Sequence, residues 1–281
     1  MRKKLYLLLA FVLVLLCACA RNNQEPECTT NEPTVESTTV PAETVTEATQ
    51  QTTEAPQEET TVPQEETTAP AHSEWYLPGY SAEQIWGYFE EVVLHMEYTD
   101  GTGDASLVQK WNAPIYYRIY GEPTQEDLGV LEACIAQLNA VPGFPGIYAA
   151  TEDQEENLTL NFLTPEPFYN MFSVVVNGEE SFGATQFWYY TDTNEIYTAN
   201  IGYRTDIDQL SRNSILIEEI INTLGITDTV LRPDSIVYQY SDENMTLSDV
   251  DWLIMRLLYH PQMQSGMNAD DCKSIIEELY Y

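Results

Sequence analysis

The run from Ile215 to Asp228 constrains this chain more than any other stretch. At about 100° per residue, Ile217, Ile220, Ile221 and Leu224 supply apolar packing around most of a helix, while Glu218 and Asn222 fall one turn apart on one face with Glu219 beside them. Gly225 ends the helix, because glycine takes the left-handed backbone that closes a helix C terminus. The chain then turns so that Asp228 folds back towards the polar face.

In zinc peptidases the pattern H-E-x-x-H puts two imidazoles on one helical face with a glutamate between them as general base. The longer metzincin form adds a glycine turn and a third ligand. Here the same register reads Glu218-Glu219-x-x-Asn222-x-x-Gly225-x-x-Asp228. It resembles a metzincin active-site helix with Glu218 and Asn222 at the histidine positions, Glu219 at the catalytic base and Asp228 at the third ligand. The resemblance implies a degenerate site without zinc: Glu218, Asn222 and Asp228 are oxygen donors, which suit Ca²⁺ or Mg²⁺ better. His72, His95 and His260 have no partner one helical turn away and read as surface or packing residues. Two other readings of the acids stay open. Glu218 and Glu219 form a carboxylate pair with one raised pKa, although neighbours about 100° apart aim poorly at one atom; or they are a solvated acidic strip.

At the other end, Met1-Arg-Lys-Lys4 and the apolar run from Leu5 to Cys19 form a secretory signal, too short for a comfortable membrane span. Leu16-Cys17-Ala18-Cys19 resembles a bacterial lipobox, which makes Cys19 the lipidated anchor and residues 1–19 the signal. The expected location is the extracytoplasmic face of the cell membrane, with an ordinary signal peptide as the alternative. Residues 20–72 are Thr, Glu, Pro and Gln with near-repeats Pro56–Thr61 and Pro63–Thr68, a composition that cannot bury a core. Such a disordered tether reaches on the order of 150 Å at about 3 Å per residue.

Residues 73–281 are enough for one globular domain. Of the chain's 45 acids and 11 bases, 11 acids and one base lie in 20–72 and three bases in 1–19, leaving 34 acids, 7 bases and a net charge of −27 in the domain. Nucleic acid and anionic lipid are poor partners for that surface. Cys134 and Cys272 fall on apolar faces of predicted helices and read as buried thiols, a disulfide being the lesser reading.

Ser81–Gln84 is a capping box ahead of a helix through Met96; Asp100–Asp104 reads as a turn. Pro114–Tyr120 reads as a strand, and Thr124–Asp127 caps a helix burying Leu128, Leu131, Ile135 and Leu138. Strands follow over 146–150, 157–163, 185–190 and 195–203, then the helix over 212–224. In metzincins that order builds a twisted mixed sheet with one antiparallel edge strand above the active-site helix, which the resemblance places at Ala184–Tyr190. Asp234–Tyr240 resembles the metzincin Met-turn, with Val237 where the methionine would lie and Tyr240 as a further structural position of the segment. Thr246–Asp249 is expected to cap the next helix. Leu257–Pro261 and Gly266-Met267 are also similar to an uncharacterised family of bacterial lipoprotein domains with E-E-x-x-Q in place of H-E-x-x-H.

The expectation is an α+β, metzincin-like (zincin) domain with a small helical C-terminal subdomain, acting at the cell surface as a non-catalytic binding module for a peptide or cell-wall component. Trp75, Tyr76, Trp86, Phe187, Trp188, Tyr189 and Tyr190 are candidates to line its cleft. The alternative is an atypical metallopeptidase or hydrolase using Glu219 with an oxygen-ligand metal.

Overall fold

The computed structural model describes residues 15–20, 73–94, 107–172 and 181–281. The chain order is β1 (Leu15–Ala20), α1 (Ala82–Leu94), β2 (Lys110–Trp111), β3 (Ile115–Tyr120), α2 (Gln125–Leu138), β4 (Ile147–Ala149), β5 (Leu158–Leu163), α3 (Pro165–Phe172), β6 (Ser181–Tyr189), β7 (Glu195–Arg204), α4 (Gln209–Thr223), α5 (Asp249–Leu258) and α6 (Ala269–Tyr280). The tether from residue 21 on, Cys28, His72, His95 and the Asp100–Asp104 segment lie outside the described residues.

The fold is mixed α/β around one sheet of order β1-β6-β7-β5-β3-β4, with β2 also pairing β7. Among these strands β6 alone runs against the rest: β3, β4, β5 and β7 pair in parallel, and β6 pairs antiparallel with both β7 and β1. The β6 backbone accepts β1 along its outer side, with Leu15 opposite Phe187 and Ala18 opposite Ala184.

Alternation along β6 sorts helices onto the two faces of the sheet. Gly183 faces α4, where a Cβ would collide with Glu219 Oε1, and Thr185 Oγ1 donates to the Glu219 carbonyl at 3.0 Å. Ala184, one residue on, faces α3 and packs with Phe168 and Phe172. The helix α3 is an unexpected element, although Thr164-Pro165 carries the signal for it: proline suits the first helical position, where its missing N–H is not needed.

Local capping chemistry forms the other helices. Ser81 and Gln84 bond reciprocally at the start of α1, and Thr124 and Asp127 do so at the start of α2. At α5 the expected cap is displaced: Ser248, not Thr246, is the N-cap, boxed with Asp251. Asp251 wins because its carboxylate serves several donors at once, among them Arg232 Nη1 at 2.9 Å, Ser235 Oγ at 2.7 Å and the Ile236 N–H at 3.1 Å. Cys134 and Cys272 are free and buried, and desolvation pushes both thiols up to about 12.

Candidate functional site

The helix α4 starts where Asp208 accepts from the Ser211 N–H at 3.0 Å, and a buried ion pair fixes it to α2, with Arg212 Nε 2.8 Å from Asp127 Oδ1. Burial opposes ionisation of Asp127, but hydrogen bonds from Arg212, Gln209 and Thr124 outweigh it and hold the carboxyl below its ordinary range. Ile215, Leu216, Ile220 and Ile221 are buried, as an apolar helix requires. The polar face is buried as well: Glu218 is 3% exposed, Glu219 0%, Asn222 1% and Asp228 8%. These acids are therefore not a solvated strip. A sequence period cannot show this, because it reports which residues share a face and not what covers that face.

The turn after α4 forms as glycine chemistry dictates. Leu224 is the C-cap and Gly225 takes φ +94°, where its missing Cβ also leaves room for the Gln109 carbonyl. The reversed chain brings Asp228 back to the helix, and Asn222 Nδ2 donates to Asp228 Oδ1 at 3.1 Å. Asn222 Oδ1 is enclosed and has no hydrogen-bond partner among the described residues.

Glu219 points elsewhere. It packs beneath Gly183 of β6, and its charge, after burial itself, raises the pKa of the Tyr203 phenol, whose OH donates to the Leu216 carbonyl at 3.3 Å. Glu218, about 100° round the helix, shares the bearing of Ser214 and Asn222; Ser214 Oγ donates to the Asn244 carbonyl at 2.6 Å. The structure thus brings Asn222 and Asp228 together and sets Glu219 apart against the sheet.

Zinc does not fit this set, which holds no imidazole or thiolate. For an oxygen-bound cation, Asn222 Oδ1 is an enclosed acceptor, but Asp228 Oδ1 is already engaged by the Asn222 amide. Among the described residues no three His, Cys, Asp or Glu side chains group as metal ligands.

The segment expected as a Met-turn does lie near α4. Val237 is buried and lines, with Ile221, a cavity of about 10 Å³, and its carbonyl accepts from the Thr229 N–H at 2.8 Å. Tyr240 is 56% exposed with its ring edge-on to Tyr238, so it does not reach the polar face of α4. His260 packs edge-on against Trp75 at 5.2 Å.

The candidate aromatics do not line one cleft. Trp86 and Phe187 are core residues, because their strand and helix faces point inwards. Trp75 and Tyr76 instead border a hollow of about 310 Å³ with Trp252 and Arg256, and the last two also border a second hollow of about 450 Å³. In the sequence this pair shows only as an aromatic and a cation one turn apart in α5.

No curated protein matches the chain. A protein family does: residues 82–278, from the first residue of α1 nearly to the end of α6, match the family described as "Protein of unknown function (DUF2927)". With well over half of its length in that match, the chain belongs to this family.

Proposed function

We propose that this chain is a lipid-anchored, extracytoplasmic binding module on a metzincin-like frame without zinc ligands, and that it holds an extended peptide along β6. Cys19 is the anchor and residues 20–72 are the spacer that carries the domain away from the membrane. The observation that carries the reading is the coupling of Asn222 to Asp228 across the Gly225 turn. This joins the second and third ligand positions of the resemblance in a histidine-free hydrogen bond, beneath a sheet whose one reversed strand lies over the same helix. An amide bound to a carboxylate cannot supply what a catalytic zinc site needs, which is neutral imidazole or thiolate ligands and an open position.

The peptide site is the outer side of β6, which is not an edge while β1 covers it. Its backbone N–H and C=O groups pair with the antiparallel segment Leu15–Ala20. Lipoprotein processing before Cys19 removes residues 15–18 from that ladder and leaves the edge open for strand addition.

The test uses the chain purified without residues 1–18, incubated with a peptide library and read by mass spectrometry for bound peptide, cleaved peptide and metal content. Saturable peptide binding, no cleavage and the same binding in Glu219→Gln are expected. Cleavage abolished by Glu219→Gln, or a stoichiometric metal lost in Glu218→Ala or Asp228→Ala, would overturn the non-catalytic reading in favour of a hydrolase with an oxygen-ligand metal.

A further inference from the structure

We propose that the α5 surface carries a second binding site, independent of β6, for a small ligand that joins a carboxylate or phosphate to a flat or apolar body, held by the Arg256 guanidinium beside Trp252. In a chain of 45 acids and 11 bases, cations are scarce, and the globular part holds seven. Five are in ion pairs: Arg118 with Glu156, Arg204 with Asp206, Arg212 with Asp127, Arg232 with Asp251 and Lys273 with Glu83. Lys110 gives its ammonium to the Leu258 and Met263 carbonyls. Arg256 is the exception. Among the described residues it has no carboxylate at ion-pair distance and no hydrogen bond from its guanidinium.

What it has is a support. The guanidinium carbon lies 4.4 Å from the Trp75 ring centroid. With that ring as its support and no hydrogen bond among the described residues, the guanidinium keeps its N–H donors for bidentate capture of a carboxylate or phosphate. Trp252, one turn earlier on α5, adds a partly buried ring on the same side of the helix.

The surrounding space sets the kind of ligand. The hollow of about 450 Å³ on the α2 side is bordered by Gln137, Val141, Pro142, Trp252 and Arg256 and contains no acid. It is a shallow hollow open to solvent, so a ligand there lies against the surface with Trp252, Val141 and Pro142 on its apolar side. The hollow on the other side of Arg256 is bordered by Glu74 and Asp249, which repel an anion, so the anion enters from the α2 side. Carbonyls at the C-terminal end of α2 disfavour an anion in that hollow, which makes the Arg256 contact indispensable.

The test is a tryptophan-fluorescence titration of the full chain with benzoate, phenyl phosphate and neutral benzamide. Saturable change with at least one anion and none with benzamide is expected, the stronger anion identifying carboxylate or phosphate as the source. Arg256→Gln is expected to weaken that binding at least about tenfold, and Arg256→Lys less, because the ammonium keeps the charge and loses the fork. Arg256 has no ion pair among the described residues, and unchanged circular dichroism checks that both variants are folded. Equal response to benzamide, no saturation with either anion, or undiminished binding by folded Arg256→Gln would overturn the proposal. None of these outcomes bears on the β6 edge, which is read separately with peptides.

Discussion

The contact between β6 and α4 rests on the absence of one carbon atom. A Cβ at Gly183 would meet Ile215 Cγ2 at 2.5 Å, Glu219 Cγ at 2.8 Å and, closer still, Glu219 Oε1. Both partners are buried, Ile215 to 1% and Glu219 to 0% exposure, so neither can swing into solvent. Gly183 is not among the positive-φ glycines, so Gly183→Ala tests packing without backbone strain. Overpacking of this kind costs about 1–3 kcal/mol. The measurement is urea denaturation followed by circular dichroism for Gly183→Ala, Glu219→Ala and the double variant. Removing the Glu219 side chain beyond Cβ deletes two of the three close contacts, so the double variant is expected to lose less than the sum of the singles, with a coupling of about 1 kcal/mol. A Gly183→Ala variant within about 0.5 kcal/mol of the parent, or strict additivity, would refute the placement of Glu219 under β6.

Two further outcomes follow from the ends of α4. Asp127→Asn leaves the Arg212 guanidinium buried opposite a neutral amide and is expected to destabilise the fold by about 3–5 kcal/mol in the same denaturation assay. Because folding lowers the Asp127 pKa, its contribution is present above the ordinary value of 3.8 and lost as pH falls through the folded value. Asp127→Asn should accordingly flatten part of the acid limb of a stability profile measured below about pH 4, and an unchanged limb would count against this pair. Gly225→Ala combines a positive φ with a Cβ directed at the Gln109 carbonyl, and a loss of at least about 1–3 kcal/mol is expected from thermal or urea melts.

Much of the fold is legible in the sequence because its signals are local. Capping residues at Ser81 and Thr124, the alternation through 157–163 and 195–203, and Gly225 after an apolar run all act through neighbours a few residues away. The misses are non-local. Ser248 outcompetes Thr246 as a cap because Asp251 is also held by Arg232 and Ser235, which lie many residues earlier. Trp86 and Phe187 look like cleft aromatics until the elements that bury them are in place.

The candidate site divides in the same way. The sequence by itself determined that Glu218, Asn222 and Asp228 belong to one helix and turn, and that no histidine or cysteine stands among them, since helical period and residue chemistry need no partner. Only the tertiary structure decided that this polar face is buried, that Asn222 closes on Asp228, that Glu219 is pressed against β6, and that Arg256 packs on Trp75 with no acid at ion-pair distance among the described residues. The physical reason is that burial and pairing depend on which surfaces a helix meets, and those surfaces come from strands and helices distant in the chain.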